Sequence, residues 1–123
     1  MIKFIQCVKA KSDLSIPEFR RHWQEYEKRA LAIAGATDAV RVVANLTLAV
    51  EQNLEIRLNR GTAEPFDGVL EISWYNAAGL GKALEDEENQ ELLGSFQEYQ
   101  VEFIDFDRSS FFFTSEEVIL ERS

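Results

Sequence analysis

The chain has 123 residues, 46% of them hydrophobic, which is enough for one packed core and too few for two ordinary domains. Its 13 basic and 22 acidic residues leave a net charge of -9, which repels the phosphate backbones and anionic lipid that clustered Lys and Arg would attract. Nucleic-acid and membrane partners are therefore not expected. No apolar run reaches bilayer length, and Met1-Ile2-Lys3-Phe4 opens without the apolar stretch of a signal peptide. The single cysteine, Cys7, has no partner for an internal disulfide. The expectation is one cytoplasmic domain over residues 1–123.

Ile2 to Lys9 alternates as a strand, with Ile2, Phe4, Gln6 and Val8 on one face and Lys3, Ile5, Cys7 and Lys9 on the other. Ser15 followed by Glu18 makes a capping box, and Pro17 is tolerated in a first helical turn. Ile16, Phe19, Trp23, Tyr26, Ala30 and Ile33 then recur at helical spacing up to Gly35. From Ala39 to Val50 the alternation returns, and the second face (Arg41, Val43, Asn45, Thr47, Ala49) is half apolar. This predicts a long strand covered on both sides. Gln52 to Phe66 is polar, holds Gly61 and Pro65, and reads as an excursion with room for a short hairpin.

Gly68 to Tyr75 is a third strand, with Leu70, Ile72 and Trp74 opposite Val69, Glu71, Ser73 and Tyr75. Asn76 caps a short helix from Ala77 to the region of Glu85, weakened by Gly79 and Gly81. The acids Glu85 to Glu88 form a solvated connection that favours the start of the next helix, marked by Leu92, Leu93, Phe96, Tyr99 and Phe103. Ser109 to Thr114, with its three consecutive phenylalanines, reads as a last strand buried on both faces.

The order strand, helix, strand, strand, helix, strand is the split βαβ arrangement. It predicts an α+β, ferredoxin-like βαββαβ fold: a four-stranded antiparallel sheet with its helices on one face. The other face would carry Val43, Ala49, Val69 and one row of the phenylalanine triplet. An apolar sheet face in water invites aggregation, and the chain has no element to spare for covering it. A second copy packed sheet against sheet covers it, so a homodimer is predicted.

The first strand followed by Ser15, the segment Glu18-Phe19-Arg20-Arg21-His22-Trp23, Phe66-Asp67-Gly68, Glu71-Ile72-Ser73-Trp74-Tyr75 and the ending Phe111 to Ile119 resemble the EthD family. That family belongs to the dimeric α/β-barrel superfamily. The resemblance spans nearly the whole chain, apart from the stretch between Gln52 and Glu64. It implies a homodimer with a cavity between sheet and helices. The namesake accompanies an ether-degrading cytochrome P450 system. Superfamily relatives include cofactor-free quinone-forming monooxygenases, lactone isomerases and polyketide cyclases, and some distant relatives bind haem. The family's His-x-Pro segment after the helix tryptophan is replaced here by Glu27 and Arg29, so its acid–base histidine does not carry over.

His22, the only histidine, is next to Trp23 and one turn from Phe19 and Tyr26. It either edges a helix-lined cavity and moves protons near neutral pH, or is an ordinary helical histidine. Glu27, four residues after Trp23, lies nearer the apolar stripe. It is the nominated general base, with a plain surface acid as its alternative. Asn45 and Glu71 sit on strand faces that meet the cavity or the dimer seam, where polar groups need hydrogen-bond partners. Trp23, Tyr26, Trp74 and Phe112 are core aromatics that could also line a pocket for a flat ligand. Phosphate loop, Ser-His-Asp set and Cys/His cluster are all absent, and a lone His22 is poor ground for haem, so no cofactor is expected. Two readings stay open. One is a cofactor-free enzyme that oxidises, isomerises or cyclises a small apolar oxygenated or aromatic molecule. The other is a non-catalytic dimeric accessory or binding protein of a degradation pathway.

Overall fold

Alternating segments become strands and periodic ones become helices in a computed structural model that describes residues 1–123. The order is β1 (Ile2–Val8), α1 (Ile16–Ala36), β2 (Arg41–Leu46), α2 (Glu51–Arg60), β3 (Gly68–Trp74), α3 (Ala77–Leu84), α4 (Glu87–Gln100), a 3₁₀ turn (Phe106–Arg108) and β4 (Ser110–Ser115). The sheet runs β2-β3-β1-β4 and every pairing is antiparallel. In β1, Phe4 stands opposite Ile72 and Phe113, and Gln6 opposite Leu70 and Phe111. This register puts Phe4, Gln6, Leu70, Ile72, Phe111 and Phe113 on one face. It is the α+β ferredoxin-like arrangement expected from the order of elements. No helix is long and apolar enough to cross a membrane.

The capping box forms as read: Glu18 N–H donates to Ser15 Oγ and Ser15 N–H to Glu18 Oε1. The end of α1 differs slightly from expectation. Gly35 stays helical, and the chain turns at Asp38, whose φ of 56° places it in the left-handed region that Asp tolerates better than most residues. Ala39 N–H then reaches back to Ala34 O at 2.9 Å and closes the helix end.

The inward stripe of α1, Phe19, Trp23, Tyr26, Ala30 and Ile33, packs into one core with Leu70, Ile72 and Trp74 of β3 and with Phe96, Phe103 and Ile104. Gly68 is what lets the Trp23 ring settle on the sheet. A Cβ there would lie 2.7 Å from Cη2 of the indole, so only glycine fits without displacing the ring.

Three expectations need correction. The excursion carries a helix rather than a hairpin. Gly61, with φ 65°, forms its left-handed C-terminal cap, and none of its residues is buried. β2 is shorter than read and ends at Leu46, where the chain leaves β3. β4 is not buried on both faces, because it is an edge strand: Phe112 is 44% exposed and Phe113 55%.

Candidate functional site

Between the sheet and the helices lies a cavity of about 180 Å³. Its floor is Phe4 and Gln6 of β1, Ile72 and Trp74 of β3, and Phe111 and Phe113 of β4. Leu80 and Leu84 of α3 close one side, and Leu93, Phe96, Gln97 and Gln100 of α4 form the roof. Exposed Gln97 and Phe113 mark the mouth. α3 is short, Ala77–Leu84, and borders the cavity through Leu80 and Leu84.

Polar groups in this apolar space form a short relay. Gln100 Nε2 donates to the Tyr26 hydroxyl at 2.8 Å, and that hydroxyl donates to Gln6 Oε1. All three side chains are buried, and burial raises the Tyr26 phenol well above its ordinary range, so it stays neutral. Thr37 and Trp74 satisfy each other, with Trp74 Nε1–H donating to Thr37 Oγ1 at 3.0 Å and Thr37 in turn donating to Ile33 O. Gln6 Nε2 is wholly buried and has no partner. Trp23 Nε1 is also unpaired, but Trp23 does not line the cavity.

Of the residues singled out in the sequence, Trp74 lines the cavity, and Tyr26 reaches it through Gln6 and Gln100. Trp23 is fully buried core. Neither His22 nor Glu27 lines the cavity. His22 lies in the seam between α1 and α4, where Nδ1 meets the Tyr99 hydroxyl at 2.8 Å and the ring stacks on Phe103 at 5.4 Å. Glu27 is partly buried on the flank of α1, away from the open space. Asn45 and Glu71 share the opposite face of the sheet: Asn45 Nδ2 donates to Glu71 Oε2 at 3.0 Å, and Lys3 Nζ sits 2.8 Å from Glu71 Oε1. The hydrogen bond from Lys3 holds the Glu71 carboxyl below the usual carboxylate range. Phe112 faces outward on that same side. Cys7 is buried there, and desolvation pushes its thiol up, which makes it an inert filler rather than a nucleophile.

Gln6 and Gln100 were not singled out. One signal for Gln6 was legible: it is the polar member of an inward-facing row that is otherwise Ile2, Phe4 and Val8. Gln100, four residues after Phe96, shares the inward stripe of α4.

A larger groove, about 420 Å³, opens where β1 and β2 end and is lined by Lys9, Arg20, Asp67 and Arg108 among others. Much of its charge is already paired. Lys9 contacts Glu64 at 3.2 Å and Asp67 at 3.8 Å, Arg108 contacts Glu64 at 3.3 Å, and Asp67 accepts from the Ala10 amide at 2.7 Å. The smaller cavity, with its unpaired buried donor, is the better candidate site. No group of three or more His, Cys, Asp or Glu side chains is placed to hold a metal ion.

Solved structures share the fold at very low identity. A dimeric protein of unknown function and ferredoxin-like fold from Bacteroides fragilis matches with a TM-score of 0.62 at 10% identity, over 94% of this chain and 95% of that one. HapK from Hahella chejuensis matches with a TM-score of 0.60 at 9% identity, over 100% and 98%. An Arabidopsis thaliana protein matches with a TM-score of 0.59 at 10% identity, over 98% and 100%. No curated protein matches the sequence. The family model for the EthD domain matches residues 11–107, from the turn before α1 to the 3₁₀ turn before β4. The chain belongs to the EthD family.

Proposed function

We propose that this protein binds a small, largely apolar, oxygenated or aromatic molecule in the cavity between the sheet and α3/α4, and that it works as a homodimer. The observation that carries the binding reading is the cavity itself. Apolar walls surround a few converging amides, which is the composition of a small-molecule site. Pairing through the open sheet face is supported by partly exposed Val43 and Val69 and by Phe112 on that face. Leu54 and Leu58 of α2 are likewise uncovered. The Bacteroides fragilis relative is described as dimeric, which agrees with this reading. The lone, buried Cys7 suits a reducing cytoplasm.

Between the two functional readings, accessory binding is favoured over catalysis. Isomerisation or cyclisation needs an acid or base beside the ligand, and the cavity is lined by amides, a threonine and apolar groups. His22 and Glu27 lie off it, and Tyr26 is held neutral.

The test is a titration of isotope-labelled protein with ethylbenzene, followed by amide NMR. Saturable shifts centred on Ile72, Leu80, Phe96 and Phe111 are expected. Their absence at millimolar ethylbenzene, or shifts confined to the opposite sheet face, would contradict the cavity reading.

A further inference from the structure

The open sheet face is a small seat for a second copy. Four strands at ~4.8 Å spacing, each of six or seven residues at ~3.3 Å, make a plane of roughly 400 Å². Stable pairs take about 800 Å² from each partner. By register, Ile5, Cys7, Val43, Val69 and Phe112 are the apolar members of the face, and Lys3, Glu71 and Asn45 interrupt them. Two copies at a net charge of -9 each also repel one another, so apolar contact has to drive their association. We infer that the C-terminal tail of each copy, Glu116 to Ser123, lies on the other copy and completes the dimer seam through Val118, Ile119 and Leu120. This step rests on the dimer reading above.

The root of the tail sets its position. Glu116 N–H donates to Met1 O at 3.1 Å, and the Glu116 carboxylate meets Lys3 Nζ and, at 3.9 Å, Arg41 Nη1. Lys3 and Arg41 stand opposite Ser73 on either side of β3, so they belong to one row across the open face. The carboxylate therefore lies over that face, and the tail leaves from its rim. Beyond Glu116 no helix or strand forms and no backbone hydrogen bond is made. Val118, Ile119 and Leu120 are 60%, 89% and 65% exposed. Three consecutive large apolar side chains in water, beside a face that is itself uncovered, mark an interaction surface. A second copy seated on the face meets the tail at the same rim. Packed sheets stand ~10 Å apart, and the eight residues from Glu116 to Ser123 reach up to ~28 Å when extended, enough to cross to the partner.

The experiment is sedimentation equilibrium of the wild-type chain and of a chain ending at Glu117. The truncation removes only exposed residues and keeps Glu116 on Lys3, so circular dichroism should still show the folded protein. The dimer dissociation constant should rise about a hundredfold, because three apolar side chains per copy no longer find cover. A second readout needs no truncation. In wild-type protein refolded from a mixture of isotope-labelled and unlabelled chains, isotope-filtered NOE spectra should connect the Ile119 methyl groups to the other chain. A folded truncated chain that pairs with wild-type affinity, or Ile119 contacts confined to its own chain, would overturn the tail's role and leave the dimer standing. A wild-type mass of 14.1 kDa at every concentration would overturn the dimer reading, and this inference with it.

Discussion

Replacing Gly68 with alanine tests how α1 is seated on the sheet. The added Cβ would stand 2.7 Å from Trp23 Cη2 and 2.9 Å from Cζ2 and Cζ3, against the ~3.5–4.0 Å that carbon atoms prefer. The ring must therefore move by about 1 Å. It has little freedom to do so, because Phe19 and Tyr26 pack against it, each with its ring centroid 5.7 Å away. Overpacking of this kind costs roughly 1–3 kcal/mol. Relieving a strand glycine returns about 0.5–1 kcal/mol of backbone entropy. Gly68→Ala should thus destabilise by about 1–2 kcal/mol on balance. Trp23→Phe removes the outer ring atoms that the Cβ meets, so in that background Gly68→Ala should cost little or stabilise. Urea melts followed by circular dichroism at one fixed protein concentration would measure the cycle, since the proposed pairing would make stability concentration-dependent. A Gly68→Ala protein as stable as wild type, or two substitutions that simply add, would refute the packing of Trp23 on Gly68.

Three further outcomes follow from the same contacts. Trp23→Ala removes a wholly buried ring and should cost roughly 3–5 kcal/mol, and an unchanged melting temperature would show that the ring is not core. Tyr26→Phe leaves Gln6 Oε1 without its donor and Gln100 Nε2 without its acceptor, a loss of about 1–3 kcal/mol in chemical denaturation. It should also change the alkaline limb. Burial raises the Tyr26 phenol above its ordinary 10.0, so its contribution is complete below that pH and is lost as pH climbs towards the raised value. Wild type should therefore lose more stability than Tyr26→Phe above about pH 10, and parallel pH profiles would contradict the buried phenol. Phe112→Asp places a charge on the open sheet face and should give a light-scattering mass of 14.1 kDa where wild type gives twice that. A wild-type mass of 14.1 kDa would remove the dimer.

The parts of the fold readable from sequence were those with a single strong local signal. Ser15 and Glu18 with the Phe19–Trp23–Tyr26–Ala30 stripe specify α1, because capping and periodicity agree there. The stretch that forms α2 reads as an excursion because it is polar and holds Gly61 and Pro65, while its helical signals, Arg57 and Arg60 in the last turn and Gly61 after it, are weaker. The phenylalanine triplet looked doubly buried because composition cannot tell an edge strand from a central one.

The candidate site was legible only in part. Spacing along α1 puts Glu27 near the stripe of Trp23, but the cavity lies over β1, β3 and β4, under α3 and α4. Its position depends on how far short α3 extends across the sheet, a tertiary fact with no local signature. The inward-facing Gln6 was visible as a polar residue in an apolar row, yet its free amide emerges only when Tyr26 and Gln100 converge on it from two helices.

The most direct measurement is a crystal structure of the protein grown with acetophenone. The ring should lie among Phe4, Phe96 and Phe111. Acetophenone seated elsewhere, or a cavity that stays empty at saturating ligand, would contradict the claim that this space is the functional site.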